Sequence, residues 1–513
     1  MKPKAVLSCI CLSLLTAMSA VALNAEEARP SRRLVILLDG SLNNPEQAVP
    51  TTGSHKLYKP TNILKAYRAV LPVAADGKSQ IAFYSEGVGS FIGEPVPFSG
   101  VLGFVENLAG GAFGAGFQAR IKEAYRFLVA NYQPGDEIFV LGFSRGAAEA
   151  QGLVRFIDWA HGLLAKDDEY FIVELYDGFS KSLSAGVKVE TVLDQINHRS
   201  GEKKKPPTCE QQACGESVRI HPQDRRMACG ETGSERGPRG PLVKPPRPVE
   251  IKFLGVYETV ISLGSRVKTE GDVATVTPQF AFLGASPCPR GVRPPPAASP
   301  SGAAPGKTIC KIPPAIVKTA RQALSIDERR WDFRPQVWEV PADASQSVEQ
   351  QSVKQLWFPG VHSDVGGGYT NDGLANAALQ WMTAEAMAAG LGVDCTYLAH
   401  YRPYVCGDRP DTDTGFLHVA EFFRGKAGKG VRQLPADAKL HDSVGWLLIN
   451  DQTYRPQNLL QHLAQDETRI DDQFTDPQLR SGVRAIVEEF KAGKTHKPPP
   501  CQASSGKSAS PSE

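Results

Sequence analysis

Beyond its first 25 residues the sequence has no apolar run long enough to cross a bilayer as a helix, so the mature protein is expected to be soluble. It also lacks an excess of either charge. Lys and Arg number 57 against 55 Asp and Glu, a formal +2 over 513 residues. Lys2 and Lys4 account for that excess, and without them the chain is neutral. A neutral balance has none of the electrostatic footprint of a nucleic-acid binder, and no nucleic-acid partner is expected. No second close Cys or His pair completes "CEQQAC" (209–214) into a four-ligand metal site. Asp39, His362 and Asp364 offer too few oxygens for a hard cation. The glycine-rich "LAGGAFGAGF" (108–117) lacks the Lys-Ser/Thr ending of a phosphate loop and reads as a packing turn. No metal or cofactor is expected, and there is no internal repeat.

What is present begins with "MKPKAVLSCICLSLLTAMSAVALNAEEARP". Lysines, an apolar core and small residues near Ala22 and Ala25 read as a cleaved signal peptide over residues 1–25. The expectation is an exported protein, periplasmic or secreted. Ten cysteines become eight once Cys9 and Cys11 leave with the leader. An even count in an exported chain, placed in polar and Pro-rich segments, predicts disulfides that pin loops, Cys288–Cys310 among them.

The remaining chain alternates apolar strand-like runs with helical spacing: "RRLVILLDGSLNN" (32–44), "TNILKAYRAVL" (61–71), "SQIAFYSEGVGS" (79–90), "QARIKEAYRFLVANY" (118–132) and "EIFVLGFSRG" (137–146). That order predicts an α/β fold with a mostly parallel central sheet and helices on both faces. The domain runs over 32–490. Two Cys/Pro-rich loop insertions interrupt it at about 195–248 and 285–313, and a disordered tail follows at 494–513. "AIVKTARQALSIDERR" (315–330) reads as helical.

Chemistry enters at "LGFSRGAAEA" (141–150), where G-x-S-x-G places Ser144 between an apolar strand and a helix. A serine hydroxyl needs a base, and the base needs an orienting acid. In α/β-hydrolases these follow in the order Ser, acid, His, each at a strand end. Glu258 after "IKFLGVY" and His362 after "QLWFPGV" meet that order. Asp364 is the alternative acid, although its closeness to His362 suits it better to the local glycine turn. His441 in "LHDSV" is the alternative base. The oxyanion donors expected are the backbone amides of Arg145 and Gly40, with Asp39 bracing the Gly40 loop.

These blocks, with "FYSEGVGS", "FLGVYETVISLG", "ALSIDERRWDFRPQVW", "WFPGVHSDVGGGY" and "LHDSV…YRPQNL", resemble a bacterial and fungal α/β-hydrolase family. Its best understood members are phospholipase effectors of type VI secretion. The resemblance implies a serine esterase with Ser144 and His362 in the triad and Glu258 where the family usually has Asp. It also implies a lipid or phospholipid ester as substrate and leaves peripheral membrane contact open. A second reading is a non-catalytic periplasmic binding or scaffold protein on the same fold. The sequence carries no signal for oligomeric state.

Overall fold

The computed structural model describes residues 30–40, 60–87, 112–199, 243–260, 312–330, 351–405 and 431–493 without 467. It also describes 333, 335–338 and short strand pieces at 48–50, 56–58, 268–270, 273–275, 286–287 and 309–310. The signal peptide, the tail from 494, Cys288, and residues 200–242 and 288–308 of the two insertions lie outside these.

In chain order the elements are β1 (Arg33–Leu38), α1 (Asn62–Ala69), β2 (Gln80–Ser85), α2 (Ala112–Asn131), β3 (Glu137–Phe143), α3 (Arg145–Trp159), α4 (Ile172–Ala185) and α5 (Val189–Arg199). There follow β4 (Ile251–Tyr257), β5 (Val317–Ser325), β6 (Ser352–Phe358), α6 (His362–Gly366), α7 (Gly373–Ala388), α8 (Asp442–Asn450), α9 (Gln457–Ala464) and α10 (Pro477–Lys491). The six strands form one sheet in the order β6-β5-β4-β3-β1-β2, and every pairing is parallel.

A parallel sheet must be covered on both faces, so its strands read as continuous apolar runs whose neighbours point to opposite cores. Leu34, Ile36 and Leu38 of β1 and Ile138 and Val140 of β3 face one core, built with α2, α3, α4 and α5. Val35, Leu37, Phe139, Leu141 and Phe143 face the other, built with α1 and α7. A third core joins the ends of β5 and β6 to α8, α9 and α10 through Leu324, Trp357, Val444, Leu459 and Val483. The expected α/β fold is present, with helices on both faces of the sheet.

Four local readings are corrected. Residues 317–325 form strand β5 and not a helix, because the stretch lies between β4 and β6 in the middle of the sheet. Its polar side chains find partners there: Arg321 pairs with Glu385 at 2.5 Å, and Gln322 donates to the Gln336 carbonyl at 2.7 Å. Tertiary pairing has overridden local spacing. The first insertion is narrower than 195–248. Helix α5 continues to Arg199, Val243 is buried, and Leu163 and Arg247 exchange two backbone hydrogen bonds of 2.9 and 2.7 Å. Helix α2 begins at Ala112, inside the segment read as a turn. Cys395 is an exposed free thiol, so the expected disulfide set does not extend to it.

Helix α1 ties the sheet to the turn that bears His362. Asn62 donates to the carbonyls of Val365 and Ala375 at 2.9 and 2.8 Å. The buried Lys65 ammonium reaches Asp372 at 2.6 Å and Asn376 at 2.8 Å.

Candidate active site

Ser144 sits where β3 passes into α3, with φ 57° and ψ −120°. A non-glycine residue adopts such a backbone only when its surroundings impose it. Here they do: the Ser144 amide donates to the Tyr257 carbonyl at 2.9 Å, and the Ser144 carbonyl accepts from the Val260 amide at 3.2 Å. Serine at a helix N-cap ordinarily turns its hydroxyl onto the first-turn amides, but Ser144 makes no such capping bond. The glycines at its flanks permit the turn. A Cβ on Gly146 would lie 2.1 Å from the Leu38 carbonyl oxygen and 2.6 Å from that of Asp39; one on Gly142 would lie 2.4 Å from the Gly146 oxygen. Both clashes are with backbone, which cannot swing aside. Gly146→Ala is therefore expected to destabilise the fold by about 3 kcal/mol, measured as a lowered thermal midpoint. An unchanged midpoint would show that the approach of α3 to β1 is not the constraint.

Glu258 follows directly on β4 at φ 47° and is fully buried, bracketed by the same two backbone bonds that fix Ser144. Its Oε2 lies 3.0 Å from His362 Nδ1. Its Oε1 accepts from the Ser325 amide at 2.6 Å. Arg432 completes the set with a two-pronged contact, Nη1 to Oε1 at 2.8 Å and Nη2 to Oε2 at 2.9 Å. Burial alone would push the Glu258 carboxyl up. The Arg432 charge and the hydrogen bonds from His362 and Arg432 outweigh it and hold the group at about 2.

His362 opens α6, four residues beyond the end of β6, with its ring against two aromatic side chains. Phe143, the residue before Ser144, lies 4.8 Å away in a tilted stack, and Phe333 meets the ring edge-on at 4.8 Å. The His362 amide donates to Glu328 at 3.2 Å, and Glu328 is itself gripped by Arg330 at 2.7 Å. Burial lowers the imidazole's proton affinity, and the Glu258 bond and charge only partly oppose this. The ring is thereby kept neutral around pH 7.

The Glu258–His362 pair thus lies beside the Ser144 turn, joined to it by the Phe143 ring and the backbone bonds to Tyr257 and Val260, while Asp364 and His441 make other contacts. Asp364 turns back on its own helix and accepts from the Val361 amide at 2.9 Å. His441 caps α8, with Nδ1 2.9 Å from Ser443 Oγ, and stacks on Phe358 at 4.5 Å. Burial pushes its imidazole down to about 4. Asp39 braces its loop as expected, accepting from Thr61 and Tyr84 at 2.7 Å each. Burial, against those two bonds and one from the Gly40 amide, raises it to about 6. The amide of Gly40, the expected second oxyanion donor, donates to Asp39 Oδ1 at 2.7 Å. Among the described residues no group of three or more His, Cys, Asp or Glu side chains is placed to hold a metal ion. No helix among them is long and apolar enough to cross a membrane.

Sequence reasoning missed Arg432, Glu328 and Thr61. Glu328 stood within a quoted block, but the helical reading of that block hid its place beside His362. Arg432, in "KGVRQLP", carries no local signal, being 174 residues from its partner Glu258.

A parallel α/β sheet with a serine on a strained strand-to-helix turn after β3 and a His–Glu pair beyond the ends of β6 and β4 is the framework of a hydrolase. The chain belongs to the family described as "T6SS, Phospholipase effector Tle1-like, catalytic domain", whose model matches residues 32–385. It is 25% identical over 390 residues to the uncharacterized protein YEL023C of Saccharomyces cerevisiae, covering 64% of this chain and 54% of that one. Among solved structures it is similar to an uncharacterized protein from Pseudomonas aeruginosa (16% identity, TM-score 0.33, covering 77% of this chain and 52% of that one). It is also similar to the Tle1 effector bound to the VgrG spike of the type 6 secretion system (14% identity, TM-score 0.32, covering 79% and 82%).

Proposed function

We propose that the protein is an exported serine hydrolase that cleaves lipid carboxylic esters, phospholipids foremost, through an acyl-enzyme on Ser144. The observation that carries this is the strained turn at Ser144 sharing its backbone bonds with the loop of Glu258, whose carboxylate holds His362 Nδ1. With Nδ1 so engaged, Nε2 is the nitrogen that takes the Ser144 proton as Oγ attacks the ester carbonyl. Glu258 keeps the imidazole in that tautomer and stabilises the imidazolium. The Arg145 amide, first in α3, is assigned to the oxyanion, where the helix N-terminus adds its dipole. Gly40 is not assigned the second donor, because its amide serves Asp39. Collapse expels the alcohol, which takes the proton back from His362, and water then releases the fatty acid by the same route.

The lipid preference is supported by the family's description as phospholipase effectors. The test is mass-spectrometric profiling of phospholipids, neutral short-chain esters and amides incubated with wild type and Ser144→Ala. Fatty acid and lysophospholipid should accumulate with wild type alone. Equal release by the variant would overturn the mechanism; release from esters but not phospholipids would overturn the substrate class. A wild type inert to the whole panel would favour a binding or scaffold role.

A further inference from the structure

We propose that Arg432 is a positioning residue for the triad: it fixes the Glu258 carboxylate, and through it His362, in the reactive pose. This rests on the serine-hydrolase reading above. Glutamate has one more rotatable bond than aspartate, so a carboxylate reaching His362 from the end of β4 needs an external clamp. The guanidinium fork supplies it with two parallel charge-assisted bonds, at 2.8 Å to Oε1 and 2.9 Å to Oε2.

Arg432 is itself immobilised. Nη1 also donates to the Ser325 carbonyl at 2.7 Å and to Ser325 Oγ at 2.6 Å, and Nη2 donates to the Phe333 carbonyl at 2.6 Å. The Arg432 carbonyl accepts from Asn458 of α9 at 2.9 Å. One buried residue therefore joins the end of β4, the end of β5 and the aromatic wall against His362 through its side chain, and the C-terminal helical layer through its carbonyl. Nothing in this geometry is reproduced by lysine, which offers a point charge without the planar fork.

A residue that merely neutralised a buried carboxylate would behave differently from a positioning residue. The charged groups acting on His362 are Glu258 beyond β4 and Glu328 and Arg330 beyond β5, while Asp364 on its own helix is turned to the Val361 amide. Arg432 draws Glu258's charge away from the imidazole, so its loss lets Glu258 hold the His362 proton more tightly.

The test uses the full chain and measures the rate of Ser144 labelling by a fluorophosphonate from pH 5 to 9, with thermal melting of every variant. Arg432→Lys should fold, yet label at least about tenfold more slowly. Arg432→Ala should label more slowly still, recover in part with added methylguanidinium, and show the midpoint of its acid limb raised by about one pH unit. Should Arg432→Ala fail to fold, the lysine variant alone decides. A folded Arg432→Lys that labels at the wild-type rate with an unmoved midpoint overturns the proposal and leaves the serine-hydrolase reading standing. A wild type that does not label at Ser144 overturns both.

Discussion

Replacing His362 by alanine is expected to slow ester turnover by on the order of 10⁵-fold, and Ser144→Ala should do the same. The doubly substituted protein should be no slower than either single variant. In the proposed mechanism the two groups perform one proton transfer, so removing either leaves the other without a task. Their losses are then redundant and not additive. Residual turnover over water would come from the Arg145 amide and from substrate binding alone. The His362 ring lies between Phe143 and Phe333, so its truncation opens a gap beside two buried aromatic rings. Thermal melts must accompany the kinetics for that reason, whereas Ser144→Ala removes a single oxygen and should leave the melting point nearly unchanged. Single-turnover release of fatty acid from a phospholipid is the measurement. If the double variant were slower than each single by the product of their effects, the two residues would be acting in separate steps, and the acyl-enzyme scheme would fall.

How much of this was legible in the sequence follows from where the forces are local. Strands β1, β3 and β4 announce themselves because both faces are buried and nearly every position must be apolar, whereas the edge strand β2 reads from its short apolar run between turn residues. Ser144 was legible because G-x-S-x-G encodes a steric demand between residues adjacent in the chain, here the approach of Gly146 to the backbone of Leu38 and Asp39. β5 was not legible. Arg321 and Gln322 break its apolar run, and the partners that make them tolerable, Glu385 and the Gln336 carbonyl, lie 64 and 14 residues away. The same separation hid Arg432. A side chain that completes a site across 174 residues leaves no periodicity or spacing to read. The contact of the Gly40 amide was hidden differently: its place in the chain suits an oxyanion donor, but the Asp39 carboxylate beside it competes for the same N–H.

The Glu258→Gln variant is expected to lose activity and acid-sensitive stability together. Without the carboxylate, His362 loses the group that fixes its tautomer and stabilises its cation, a loss of about 10³- to 10⁴-fold in turnover. Stability falls because Arg432 stays buried with its counter-charge removed, which costs about 3–5 kcal/mol. The pH dependence isolates that pair. Glu258 is held at about 2 in the folded protein against 4.5 ordinarily, so its folded pKa is depressed. A depressed carboxylate contributes stability that is fully present above its unfolded pKa and is lost as pH falls through the folded one. For a displacement of this size the contribution is about 3 kcal/mol, and it drains away between about pH 4.5 and pH 2. Other paired carboxylates, Glu328 and Glu385 among them, lose stability over the acid range in both proteins. The informative quantity is therefore the gap between wild type and Glu258→Gln, read from denaturant unfolding at each pH. That gap should be widest near neutrality and close toward pH 2. Two curves running parallel through the acid range would mean that Glu258 is not held ionised by Arg432, and the electrostatic account of the clamp would have to be abandoned.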